Sequence, residues 1–160
     1  MNIHLIAKAI RRNSSLLFVI LVAMGFFVFS SAFNYISQDN SFRKWLSPDE
    51  TANYTITKLY AETGTIQFFE SYNLISKDII HPRSFRSDWG WIKPVSFLGL
   101  PILFGTLGNM FGTNVLPYLT PLFGAIGIIF FYLLIKELFG RSIGVWSAIL
   151  LAVFPIYIYF

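Results

Sequence analysis

The chain is 160 residues long, 55 % hydrophobic and 19 % aromatic, with only 12 % charged residues and a formal net charge of +4. Soluble domains carry roughly 25 % charged residues, so this composition excludes an ordinary soluble fold and points to the lipid bilayer as partner, where Phe, Tyr and Trp serve as lipid-facing bulk and interfacial anchors. Beyond Lys8, Arg11 and Arg12 the cations are dispersed, so nothing points to nucleic acid, and the lack of cysteine excludes a disulfide-stapled loop.

Residues 1–15 are basic and contain no acid, and residues 16–33 form an apolar run about long enough to cross a bilayer. The excess of Lys and Arg keeps the N-terminus in the cytoplasm. Ser30-Ser31-Ala32 is a poor cleavage motif, so the run is read as a retained transmembrane helix rather than a signal peptide. Residues 34–94 then lie outside the cytoplasm of a multi-pass plasma-membrane protein. This loop holds seven cations and seven acids. Trp45, Tyr54, Leu59, Tyr60, Phe68, Phe69, Tyr72, Trp89 and Trp91 supply apolar surface for it to fold.

Ser47-Pro48-Asp49-Glu50 has the pattern of a helix start: a Ser cap, Pro at the first helical position and Glu three residues after the Ser, completing a capping box. Ala52, Ile56, Leu59 and Tyr60 continue at helical spacing to Gly64, predicting a helix over 48–63 with Asp49 and Asn53 on one face. A purely structural reading explains all four residues. The functional reading rests on address: two carboxylates near the exit of a membrane helix, in a loop with both ends at the bilayer, are placed to meet the headgroup of a lipid-linked substrate. Residues 65–80 suit either a short helix or an extended stretch. The Asn53-Tyr54-Thr55 sequon falls in the predicted helix and is read as incidental.

His81-Pro82 and Lys93-Pro94 bias the backbone toward extended conformations. Arg83 and Lys93, with His81 beside them, are candidates for holding a lipid phosphate, Arg as a fork and Lys as a point charge; snorkelling at the interface is the plainer alternative. A His-rich zinc site is excluded, because the second histidine, His4, falls on the other side of the membrane. Asp49 and Glu50 could hold a divalent metal, but no third ligand is identifiable.

Residues 95–111 are apolar but interrupted by Gly99, Pro101, Gly105 and Gly108. An interfacial or re-entrant helix is expected there, because a crossing would carry Lys136, Glu137 and Arg141 to the outside, against the distribution of Lys and Arg. Residues 118–138 and 143–160 are expected to form two further transmembrane helices joined at Gly140-Arg141-Ser142. The expected fold is therefore all-α and polytopic, with three membrane segments, or four if 95–111 crosses, and a helical extracytoplasmic loop after the first. The chain ends inside an apolar run, as expected of the N-terminal part of a longer protein.

The order of these features resembles the N-terminal part of the C-type glycosyltransferases, membrane enzymes that use polyprenyl-phosphate sugars, and is most similar to the lipid A aminoarabinose transferase and protein O-mannosyltransferase branches. The likeness is carried by Ser47-Pro48-Asp49-Glu50-Thr51-Ala52-Asn53-Tyr54, by Lys93-Pro94-Val95-Ser96, by Phe111-Gly112 and Leu116-Pro117, and by the run from Tyr132 to Arg141. It departs from the pattern where Val95 stands for a second proline and Val115 for an arginine. The resemblance implies that Asp49 acts as general base toward an acceptor (glycolipid, glycan or protein) or orients its nucleophile, with Glu50 supporting it. It also implies inversion at the sugar carbon and a leaving phosphate stabilised by Lys93 and Arg83. The alternative is a small non-catalytic membrane scaffold or accessory subunit.

Overall fold

A computed structural model describes residues 3–37, 47–95 and 97–159, giving backbone alone for 3–13, 37 and 159. Trp45, Ser96 and Phe160, and the side chains of His4, Lys8, Arg11 and Arg12, lie outside the described residues. The chain is mostly helical and divides into two compact units, one made of Met1–Ile36 with Tyr118–Phe160, the other of Ser37–Pro117.

The first unit contains α1 (Ile3–Ser37), α5 (Leu116–Phe139, most of it in this unit), α6 (Arg141–Ala152) and the short α7 (Pro155–Tyr159). Two stretches of the chain, Ser14–Ile36 and Thr113–Phe139, are helices long and apolar enough to cross a membrane. In α1 the buried residues Ser15, Val19, Ala23, Phe26 and Ser30 recur every three or four positions, forming one packed stripe. The other faces leave Leu17, Leu21, Met24, Val28 and Phe29 exposed. Such a helix, apolar all round but packed on one stripe, lacks the polar outer face of a water-facing helix.

Helices α1 and α5 run antiparallel. The Ser15 hydroxyl lies 2.7 Å from the Tyr132 hydroxyl, while farther along α1 Phe26 packs over Gly124, where a Cβ would come within 2.9 Å of its ring. Helix α6 returns along α5 on a stripe of small residues, Gly144, Ala148 and Ala152, all buried. A Cβ on Gly144 would sit 3.1 Å from the Lys136 backbone nitrogen; small residues are what let helix backbones approach this closely. Where one helix was expected over 143–160, the chain breaks after Ala152. Pro155 has no amide hydrogen to donate and biases Phe154 away from helical geometry.

The second unit is built on α2 (Pro48–Thr63), which forms over the predicted residues. Ser47 Oγ accepts from the Glu50 amide at 3.2 Å, and the Ser47 amide donates to the Glu50 carboxylate at 3.4 Å. Gly64 closes the helix in the left-handed conformation, φ 71°. One face of α2 buries Ala52 and Ile56 against a sheet; Thr57, Tyr60 and Ala61 meet α4 (Gly99–Phe111). That contact is close because Gly105 and Gly108 have no side chains: a Cβ on Gly105 would stand 2.9 Å from the Thr57 carbonyl oxygen. Asn109 Nδ2 donates to the Ala61 carbonyl at 2.8 Å, satisfying one of the carbonyls that the end of α2 leaves without a helical partner.

The sheet corrects the all-α expectation. β1 (Phe68–Phe69), β2 (Phe85–Asp88) and β3 (Trp91–Pro94) pair antiparallel in the order β1-β3-β2. Trp89 and Gly90, with φ of 50° and 81°, make the two-residue turn between β2 and β3, the backbone that matches strand twist. Phe68, Phe85 and Ile92 form the face against α2. Residues 65–80 contain both alternatives, β1 and the five-residue α3 (Tyr72–Ser76). Not all the aromatics expected to fill the loop's core do so: Trp89 lies on the turn, 79 % exposed, and Tyr72 on α3 is 68 % exposed, while Phe85 and Ile92 take the core positions.

Candidate functional site

Asp49 sits in the first turn of α2, outside the stripe that packs on the sheet and α4. Its Oδ1 accepts a 2.6 Å hydrogen bond from Ser84 Oγ and lies 4.0 Å from Arg83 Nε. No partner of Oδ2 is seen among the described residues, and the Asp49 side chain is 58 % exposed. One carboxylate oxygen is thus held on a side chain open to solvent, the form in which a carboxylate can take a proton from an incoming hydroxyl.

Ser84 is brought there by an unusual backbone. Its φ is 67°, in the left-handed region that costs a residue with a Cβ roughly 1–2 kcal/mol. The Ser84 carbonyl accepts from the Val95 amide at 3.0 Å, continuing the β2–β3 ladder and fixing the turn. Ser84 is not among the candidate residues that the sequence offers. A left-handed serine has no local signature, so its contact with a residue 35 positions away could not be read from the pattern.

The predicted site residues do not all converge. Glu50 neighbours Asp49 but has a separate task in the capping box with Ser47; adjacent helix positions do not face each other. Arg83 joins Asp49. Lys93 does not: strand alternation puts it with Arg86, Asp88 and Trp91 on the sheet face away from α2, and its Nζ lies 3.5 Å from Asp88 Oδ2. His81 is exposed, and its Nδ1 donates to the Pro82 carbonyl at 3.1 Å, so that nitrogen carries the proton. The expected phosphate cluster is therefore divided, Arg83 on one side and Lys93 on the other.

Among the described residues no three His, Cys, Asp or Glu side chains come together. The Asp49 carboxylate already has a guanidinium beside it.

Asp78 is a functional-looking carboxylate that the sequence reading passed over, and its role is architectural. It accepts from Ser87 Oγ at 2.6 Å, from the Gly90 amide at 2.8 Å and from the Trp89 amide at 2.9 Å. The Ser87 bond first, then those from Gly90 and Trp89, hold its carboxyl below the ordinary carboxylate range, with partial desolvation opposing them. Asn73, fully buried, closes the same loop: its side chain donates to the Ile80 carbonyl and accepts from the Ile80 amide. Compared with family models, with characterised proteins and with solved structures, the chain matches none.

Proposed function

We propose that the chain serves glycosyl transfer from a polyprenyl-phosphate sugar to an acceptor hydroxyl at the outer surface of the plasma membrane, with Asp49 as the general base. The observation that carries this reading is the Asp49 carboxylate, anchored through Oδ1 by Ser84, open at Oδ2 and flanked by Arg83. In the reaction the acceptor oxygen attacks the sugar carbon, its proton passes to Asp49 Oδ2, and the bond to the phosphate breaks with inversion. The phosphate departs as an anion, with Arg83 the cation nearest the base among the described residues. Lys93 and His81 are assigned at most an outer part in holding the lipid phosphate, and Glu50 acts by fixing the helix that carries Asp49.

Membrane placement with a cytoplasmic N-terminus is part of the proposal. What supports it is the antiparallel course of α1 and α5, which puts the start of the first apolar span and the 136–141 turn at the same end of the first unit. In such an arrangement the chain leaves and re-enters the bilayer on one side, so α4 does not cross. At 13 residues, about 20 Å at 1.5 Å per residue, α4 is also short for a bilayer core. Its apolar face away from α2, with Leu100, Leu103, Met110 and Phe111 exposed, suits an interfacial position.

The test is transfer from a panel of polyprenyl-phosphate sugars by membranes bearing the chain. Asp49→Asn is expected to lower the rate by about 10²–10⁴-fold at unchanged membrane yield, the usual contribution of a positioned base. Near-normal transfer would remove Asp49 from the chemistry. The scaffold alternative gains from one observation, that Asp49 also fastens α2 to the turn before β2. Under it no member of the panel is turned over, and Asp49→Asn changes stability alone.

A further inference from the structure

At the opposite end of the first unit from the α1–α5 exit, the Arg141 guanidinium is held by two neutral hydroxyls. Its Nε donates to Ser15 Oγ at 2.6 Å and its Nη2 to Ser14 Oγ at 2.8 Å, and Ser15 in turn touches the buried Tyr132 hydroxyl at 2.7 Å. These bonds fix the orientation of the guanidinium without neutralising it, and among the described residues no carboxylate lies within 4.0 Å of it. Beside it opens a groove of about 370 Å³ lined by Phe18 of α1 and by Arg141, Ser142, Val145, Trp146 and Ile149 of α6. A fixed cation at the mouth of an apolar groove, with an indole on its wall, matches a molecule that is anionic at one end and hydrocarbon at the other.

We propose that this groove seats an anionic phospholipid, with its phosphodiester on Arg141, an acyl chain along Phe18, Val145 and Ile149, and Trp146 at the rim. A zwitterionic lipid is the poorer occupant, because its own ammonium already balances the phosphate that the uncompensated guanidinium would recruit. The site rests on the membrane placement given under Proposed function and is independent of the transferase chemistry.

The experiment uses the full chain in vesicles of equimolar phosphatidylcholine and phosphatidylglycerol, with bromine on the chains of one lipid or the other. The fluorescence lost on Trp146→Phe isolates the signal of Trp146. Brominated phosphatidylglycerol is expected to quench that signal with an apparent preference of about fivefold, the effect of one cation near an anionic headgroup. Arg141→Gln is expected to abolish the preference and Arg141→Lys to keep part of it. Equal quenching of the unaltered chain by both lipids, a result that needs no variant to fold, would overturn the site and leave Arg141 as a clamp between α1 and α6. Release of the chain from the vesicles by alkaline carbonate would overturn the site and the membrane placement together, which separates the two failures.

Discussion

Two carboxylates near the same small sheet are held in different ways. Asp49 has one held oxygen and one open; Asp78 has three donors from the β2–β3 hairpin converging on it. Ser84→Ala is therefore expected to lower transfer by roughly fivefold, since a single positioning hydrogen bond is worth about 1 kcal/mol, and to leave the yield unchanged; the rate on polyprenyl-phosphate sugars measures it. Asp78 predicts a pH effect instead. Its folded carboxyl sits below the ordinary value of 3.8, so its contribution to stability is fully present above that value and is lost as the pH falls through the folded one. The protection of the Gly90 amide against exchange, relative to its intrinsic rate at each pH, is expected to fall on acidification below about pH 4, the range of unperturbed Asp, and Asp78→Ala is expected to bring that loss of protection to neutral pH.

At the scale of elements, α2 organises the second unit, and its ends and faces are separately accountable. Ser47→Ala removes the accepting half of the capping box and is expected to cost about 0.5–2 kcal/mol, read as a lower midpoint in denaturant for the far-ultraviolet signal of the purified chain. Gly105→Ala attacks the other side. The new methyl would lie 2.7 Å from Tyr60 Cδ1 and 2.9 Å from the Thr57 carbonyl. The ring can turn aside but the carbonyl cannot, so α4 must move off α2, at about 1–3 kcal/mol for overpacking. Faster proteolysis between α4 and α5 is the expected readout. Gly99→Ala, at a position with nothing within 4 Å, serves as the control.

For the whole molecule the decisive geometry is the antiparallel pairing of α1 and α5. Because the chain has no cysteine, single cysteines report the side of the membrane without background. Glu62→Cys in the second unit is expected to react with an impermeant maleimide applied to intact cells, and Glu137→Cys only after permeabilisation. Labelling of both from outside would mean that α4 crosses and would remove the proposed topology.

How much of this was legible depended on distance along the chain. Helix α2 could be placed to the residue because its signals are local: a capping box within four positions, helical spacing and a terminal glycine. The apolar runs were legible for the same reason, since length and hydropathy are properties of a segment by itself. The hairpin was half legible: the alternation in Phe85-Arg86-Ser87-Asp88 and Trp91-Ile92-Lys93-Pro94 around Trp89-Gly90 is a strand signal, of which the sequence reading took only an extended bias. The sequence by itself thus determined α2 and two runs apolar enough to cross a bilayer, whereas the helix expected over 143–160 divides into α6 and α7. Only the tertiary structure decided that Ser84 meets Asp49 across 35 residues, that Lys93 turns to the other face of the sheet, and that Arg141 is fixed by Ser14 and Ser15 across more than 120. Such contacts depend on which faces pair and on single backbone angles such as that of Ser84, and no local pattern of residue types encodes either.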